Sequence, residues 1–449
     1  MIDKKNKKIR IGSGAGYSGD RIEPALQLAK KGELDYLVFE CLAERTIALA
    51  QQRKSLNPKM GYDPLLEERM YMCLPACIQN GVKIITNMGA ANPVSAMEKV
   101  IEVAKNLGLK KLKVAAITGD EVLTFVQKND YELLETKKTM SSLGNSIISA
   151  NAYIGASAAV EALENGADIV ITGRFSDPSL FIAPLVYEFS WSFNDYELLG
   201  KGTILGHLME CGGHITGGYF ADPGYKDVPD LANLGFPIAE VTSQGSFTIS
   251  KLPNAGGMVT TATCKEQLLY EIHDPKNYLT PDVIADFSEV TFKEVEKNKI
   301  EVIGGKGKEK TGKLKVSIGY EDGFIGEGQI SYGGPGAIER AQLAISILKT
   351  RISTYLPEVK EVRFDCIGQN SLYGNTKLDI NPYEIRVRVA ARTSTRKEAI
   401  KIGNEVEALY TNGPAGGGGV FKNVQKVVAI QSILIKETLV QPEVHYKSL

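Results

Sequence analysis

The chain is poor in cysteine. It has 449 residues and six cysteines, Cys41, Cys73, Cys77, Cys211, Cys264 and Cys366, with no CxxC pair. So few thiols argue against a disulfide framework and for a reducing, cytoplasmic setting. Cys73 and Cys77 are four apart, but no second Cys/His pair accompanies them, so packing is the expected role rather than zinc. An excess of one charge is also lacking. Lys plus Arg is 52 against 53 Asp plus Glu, a formal net charge of −1. A dedicated nucleic-acid binder carries a basic excess, so none is expected here, though a local anion pocket stays open. No window approaches the ~18 apolar residues of a membrane span. Lys4, Lys5, Lys7 and Lys8 have no apolar stretch behind them, so no signal peptide is expected. Histidine is scarce as well: His207, His214, His273 and His445.

What is present is a regular alternation. Short β-branched runs at Ile9–Ser13, Asp35–Phe39, Val82–Thr86, Lys113–Thr118, Ser146–Ala150 and Asp168–Thr172 read as buried strands. Between them, Ile22–Lys31, Ala43–Lys54, Pro64–Asn80, Pro93–Leu107, Ala156–Asn165 and Pro178–Phe189 read as helices. Strand and helix in alternation imply parallel pairing. The expected fold is therefore α/β: an N-terminal Rossmann-like parallel sheet with helices on both faces over residues 1–240. After about residue 240 the texture changes. Ser246–Lys251, Met258–Cys264, Ile300–Ile303, Lys313–Tyr320, Gly328–Tyr332 and Tyr383–Arg392 read as strands, and Ala337–Lys349 and Arg396–Tyr410 as helices. Residues 241–449 are expected to form an α+β domain with a mixed or antiparallel sheet. Gly304–Lys313 reads as an exposed basic turn.

Ligands of parallel sheets sit beyond the carboxyl ends of the strands. Those ends here carry Gly14, Gly16, Tyr17, Ser18, Asp20 and Arg21, then Glu40, Asn87, Asp120, Asn151 and Arg174. Gly14-x-Gly16-x-x-Gly19 between strand and helix, with Glu40 about twenty residues on, has the spacing of a dinucleotide fingerprint. Asp20 would put a negative charge where the pyrophosphate belongs. Arg174 suits bidentate recognition of a carboxylate, or else a salt bridge to Asp177 or Glu40. His214 lies between the pairs Gly212-Gly213 and Gly217-Gly218, where the backbone can fold tightly around a ligand. A histidine titrating near neutrality is a natural proton carrier. The Gly-rich turns Leu252–Gly257 and Asn412–Gly419 are candidate nests for an anion, the second rather a mobile or interface turn.

The runs Arg10–Arg21, Asp35–Thr46, Asn87–Pro93, Ile171–Pro178 and Glu210–Tyr219 resemble the acyclic terpene utilisation (AtuA) family. The resemblance spans most of the chain. It implies a place in the breakdown of carboxylic acids or acyl-CoA, and it lowers the nicotinamide reading. Longer relatives carry an extra small C-terminal domain, so a separate small subunit in its place is an expected partner.

The leading expectation is a lyase, a hydratase or dehydratase. It would act on a branched unsaturated carboxylate such as mesaconate, or on a branched enoyl-CoA. His214, Glu40 and Asp120 are the candidate catalytic residues. Gly14, Gly16, Tyr17, Ser18, Asp20, Arg21, Asn87, Asn151, Arg174 and Gly213 are the candidate substrate-binding residues. No cofactor is expected, with a divalent metal held open through Asp20, Glu40, Asp120 and Glu210. A homo-oligomer is expected, and no nucleic-acid or membrane partner. The alternatives are an NAD(P)-dependent oxidoreductase and a non-catalytic subunit that binds an acyl ligand.

Overall fold

A computed structural model describes residues 7–359, 361–374 and 382–449. Lys4 and Lys5 of the basic N-terminal run lie outside them. The chain divides into two units, Met1–Gly319 with Ile430–Leu449, and Tyr320–Ala429.

The early β-branched runs form β1 (Lys8–Ala15), β2 (Tyr36–Phe39), β3 (Lys83–Thr86), β4 (Lys113–Thr118), β5 (Ile147–Ala152) and β6 (Ile169–Thr172). The intervening helices are α1 (Glu23–Lys31), α2 (Glu44–Leu56), α3 (Leu66–Asn80), α4 (Pro93–Asn106), α5 (Leu123–Val126), α6 (Ser157–Glu164), α7 (Ser179–Phe189) and α8 (Tyr196–Glu210). Further strands are β7 (Pro237–Thr242), β8 (Phe247–Lys251), β9 (Tyr278–Leu279), β10 (Ile284–Asp286), β11 (Thr291–Glu296), β12 (Lys299–Ile303), β13 (Lys306–Lys308) and β14 (Lys313–Gly333). They are followed by β15 (Glu361–Ile367), β16 (Glu384–Thr393), β17 (Gly418–Lys436) and β18 (Glu443–Ser448). The later helices are α9 (Thr261–Leu269), α10 (Ala337–Tyr355) and α11 (Arg396–Glu407).

The first unit is built on a ten-stranded mixed sheet, β11-β12-β8-β7-β1-β2-β3-β6-β4-β18. Its centre, β1 through β4, is parallel. β7 and β18 close the two sides of that centre in antiparallel register. Alternate residues along a strand face opposite sides, and here both sides are dry. Tyr36, Val38, Ile85, Ala115, Ile117 and Val170 pack with Leu180 of α7 and Leu205 and Leu208 of α8. Leu37, Phe39, Ile84, Val114, Ala116 and Ile171 pack with Leu28 of α1, Met70 of α3 and Val100 of α4. The fold is thus mixed α/β with one large mixed sheet.

Three features differ from the sequence expectation. The sequence pattern places β5 in the parallel series, yet it pairs with β14 instead. β8, β12 and β11 lie past the texture change at 240 but extend the ten-stranded sheet outward from β7. The β-branched residues of Met258–Cys264 predict a strand, yet Thr261 onward is helical. A reciprocal cap decides that segment: Thr260 Oγ1 accepts from the Thr263 amide at 3.2 Å, and Thr263 Oγ1 accepts from the Thr260 amide at 3.0 Å.

The second unit is a sheet ordered β15-β16-β14-β17 with α10 and α11. The alternation of β16 is clean. Ile385, Val387 and Val389 are buried against Leu348 and Val406. On the other side Arg388 pairs with Glu327 at 3.0 Å and Asp365 at 3.0 Å.

β18 covers the outer edge of β4, with Val444 opposite Ile117 and Tyr446 opposite Ala115. An uncovered strand edge exposes unpaired amides and invites aggregation. Deleting residues 442–449 is therefore expected to lower Tm by on the order of 5 °C and to shift the protein toward aggregates, read by differential scanning fluorimetry and light scattering.

Candidate functional site

The loop after β1 is held from below. Arg69 on α3 is fully buried, and its Nη2 donates to the carbonyls of Ser18 at 2.8 Å and Asp20 at 3.1 Å. Its Nη1 meets Asp63 Oδ1 and Cys41 Sγ, each at 3.3 Å. Asp20 closes the loop from within: Oδ2 accepts from the Gly16 amide and Oδ1 from the Arg21 amide, both at 2.9 Å. The negative charge expected to oppose a pyrophosphate thus occupies one of the amides that such a ligand would use. Gly16 also lies against the turn after α8, where a Cβ would sit 2.5 Å from the Cys211 carbonyl oxygen.

A second group of predicted residues forms a closed polar layer. Glu40 Oε1 accepts from the Leu42 amide at 2.9 Å and from Asn87 Nδ2 at 2.8 Å. Asn87 is oriented by the Cys41 amide, which donates to its Oδ1 at 2.7 Å. Asp120 Oδ2 accepts from Asn151 Nδ2 at 2.8 Å and from the Arg174 amide at 2.9 Å. Arg174, expected as an anion clamp, is fully buried. Its guanidinium donates to the carbonyls of Leu42 and Phe175 and to Asp177, and it stacks 4.2 Å over the Tyr153 ring. Of the two acids weighed as its partner, Asp177 is the one it bonds. Burial raises the carboxyl pKa of Glu40, reinforced by the Asp177 charge. Burial raises Asp120 to about 6.

Of the remaining predicted residues, Gly16, Tyr17, Asp20, Arg21, Gly213 and His214 line an open cavity of about 630 Å³, whereas Gly14 is buried against the Phe39 ring and Ser18 is not on the lining. Gly16, Tyr17, Asp20 and Arg21 form one wall, Gly213 and His214 another, with Leu234 and Phe236 as an apolar floor. His214 Nδ1 is hydrogen-bonded to Gln267 Oε1, and Gln267 Nε2 donates to the His207 carbonyl at 2.8 Å. The rings of Tyr270 and Tyr219 flank His214, with centroids at 5.2 Å and 6.0 Å. Arg21 donates from Nη1 to the Ala232 carbonyl at 3.0 Å and has no acidic partner among the described residues. Cys211 lines the same cavity, but burial and the nearby Glu210 push its thiol pKa up, so it is no ready thiolate.

Behind Cys211, Glu210 Oε1 lies 2.9 Å from His207 Nδ1, and His207 Nε2 lies 3.2 Å from the Leu268 carbonyl. Burial raises Glu210 to about 7, and burial opposes charge on His207 while Glu210 outweighs it and raises the imidazole. The two groups therefore titrate as one coupled pair. Asp20, Glu40, Asp120 and Glu210, weighed together for Mg²⁺, each have other partners. Among the described residues no group of three or more His, Cys, Asp or Glu is placed to hold a metal ion.

Residues 9–446 match the profile of the acyclic terpene utilisation family protein AtuA. The chain belongs to the AtuA family. No curated protein matches it. In this AtuA protein most of the predicted site residues thus separate into a solvent-open cavity around His214 and a buried layer around Arg174, with Gly14 and Ser18 in neither. Sequence reasoning missed Arg69 and Gln267. Arg69 was detectable as a charge on the buried stripe of Leu66, Met70, Cys73 and Cys77. Gln267 follows the segment read as a strand, so its approach to His214 left no signal.

Two outcomes follow from this geometry. Arg69→Met removes the donors to the loop and leaves Asp63 buried without its cation. A loss of about 3–5 kcal/mol is expected, measured by urea unfolding. Asp120 is protonated more readily folded, at about 6, than at its ordinary value of 3.8. The unfolded chain releases that proton first, so wild-type stability falls as pH rises through this window. Asp120→Asn lacks that slope and should gain on wild type between pH ~4 and ~6, by about 3 kcal/mol at most, then stay level above it.

Proposed function

We propose that this AtuA protein is a cytoplasmic lyase that adds or removes water at a C=C bond next to an acyl group. Its substrate class is a small branched unsaturated carboxylate or the corresponding branched enoyl thioester. The observation that carries the reading is the polarity of the chain His207–Gln267–His214. The His207 carbonyl can only accept, so Gln267 turns its NH₂ toward it and its oxygen toward His214. Nδ1 of His214 must then carry the hydrogen, which leaves Nε2 as the basic nitrogen of a residue lining the cavity.

Dehydration needs a base for the proton on the carbon next to the acyl group, a holder for the anionic end, and a proton for the departing hydroxide. Nε2 of His214 is the base. Arg21, rather than Arg174, is the anion holder, because Arg174 is fully buried and each of its guanidinium nitrogens already bonds within the protein. The Cys211 thiol, kept protonated by burial, is the protic group on the same wall. The electron pair freed at carbon moves onto the acyl oxygen and returns to form the double bond as hydroxide leaves with the Cys211 proton as water, and the proton on His214 then passes through solvent to the Cys211 sulfur, which restores both groups. Hydration runs these steps in reverse. Glu40, Asn87, Asp120 and Asn151 act from behind, holding the strand ends in place.

A Rossmann-like reading of the parallel strands does not bring a nicotinamide site with it, since Asp20 already holds the Gly16 amide. Among the described residues no helix is long and apolar enough to cross a membrane. The six free cysteines fit a reducing compartment.

The test is incubation with mesaconate and with branched enoyl thioesters in D₂O, followed by NMR for hydrated product and deuterium next to the acyl carbon. His214→Asn should lower turnover by about 10²–10⁴. Arg21→Met should raise KM more than it lowers kcat. Near-wild-type rates in both variants, or no turnover of either substrate class by the wild type, would remove the reading.

A further inference from the structure

The cavity beside His214 has a neighbour on the other side of Arg21. A second cavity of about 760 Å³ lies beyond it, and Arg21, Leu234 and Phe236 line both. One wall is a single face of α1: Glu23, Pro24, Gln27 and Lys31. At 1.5 Å per residue that wall runs about 12 Å along the helix. The opposite wall is the Leu252–Ala255 part of the Gly-rich turn that the sequence suggested as an anion nest. It is not a nest. The Ala255 amide donates to the Leu252 carbonyl, Gly256 to Asn233 and Gly257 to Pro229. Recognition in this trench therefore falls to side chains.

Those side chains have a definite character. Arg21 and Lys31 form no ion pair among the described residues, and Glu23 is the single acid on the lining. Gln27 and Asn254 offer amides, and Leu234, Phe236 and Leu252 offer apolar surface. Each cavity alone has the volume that takes a drug-sized ligand. A small branched acid fills only part of the first and leaves the trench without an occupant. A long, amide-bearing, phosphorylated arm matches the trench in polarity and in charge.

We propose that the trench along α1 binds the phosphopantetheine arm of an acyl thioester whose acyl group enters the His214 cavity. The substrate is then a thioester rather than a free acid. This inference rests on the hydro-lyase reading of the first cavity. Lys31 meets phosphate, Gln27 and Asn254 meet the arm's amides, and Leu234 and Phe236 meet its methylene groups.

The experiment is isothermal titration of the full chain with coenzyme A, with 4′-phosphopantetheine and with adenosine 3′,5′-bisphosphate. It is repeated for Lys31→Glu and Asn254→Trp, two exposed positions at which the wild-type Tm should persist. Coenzyme A and phosphopantetheine should bind the wild type. Each variant should weaken both by roughly tenfold or more, with an effect of Lys31→Glu that shrinks as salt is raised. Binding of the bisphosphate but not phosphopantetheine, equal affinities in all three proteins, or no binding of coenzyme A each overturn the proposal. Turnover of free mesaconate without coenzyme A binding would remove the arm and leave the lyase. Trench-dependent binding of coenzyme A without hydration of any enoate or enoyl thioester would uphold the arm and remove the lyase.

Discussion

A guanidinium with no access to water sits under the loop that follows β1. Arg69 has to find partners inside the protein, because a buried charge without them costs several kcal/mol. It finds the Asp63 carboxylate and the carbonyls of Ser18 and Asp20. Those carbonyls cannot move away without leaving the charge exposed to an apolar core. Their fixed position turns the Asp20 carboxylate back onto the Gly16 and Arg21 amides, and so decides where Arg21 leaves the loop. Gly16 in turn has room only for a hydrogen against the Cys211 carbonyl. The first wall of the cavity and the turn that carries His214 are thereby held together by one charge and one missing side chain.

The polar strand ends do two different jobs, and burial separates them. Glu40, Asn87, Asp120, Asn151 and Arg174 bond to one another, to Asp177 and to backbone groups. Such a network is worth keeping only when each member is satisfied, and it then fixes the backbone around it. Burial holds the pKa values of Glu40 and Asp120 up, which disfavours their charged forms. His214 and Arg21 stand at the cavity and keep unused capacity: a basic nitrogen in one, donors in the other.

The sequence was most legible where the period was simple. The runs from Ile9 to Thr172 became strands because both faces of each strand are buried and the residues are β-branched. The alternation of Tyr383–Arg392 became β16 with the expected faces. The Gly-flanked His214 and the loop from Gly16 to Arg21 do share a cavity. α8 escaped notice because nearly every residue from Leu199 to Met209 is buried, so no polar stripe marks it as a helix. Met258–Cys264 misled because three threonines and a valine favour a strand until two of those threonines cap a helix. Arg174 misled in a different way. Its neighbours Gly173 and Asp177 announce a functional turn, but whether a guanidinium faces a ligand or a carbonyl depends on Leu42, which is 132 residues away in the chain.

The segment Glu210–Tyr219 shows why that last kind of information is three-dimensional. Gly212 has φ of 52° and Gly217 of 104°, both in the region that favours glycine. A Cβ on Gly213 would meet Leu234 at 2.8 Å. The glycines are therefore needed for the path of the chain, whatever the ligand, and they bring His214 to Gln267 on α9. Gln267 reads its own orientation from a carbonyl at the end of α8 and passes it on to the imidazole. Two helices that the sequence pattern did not reveal thus decide which nitrogen of His214 is basic. The residue type could be read one position at a time, whereas its protonation pattern belongs to the packing of α8 against α9.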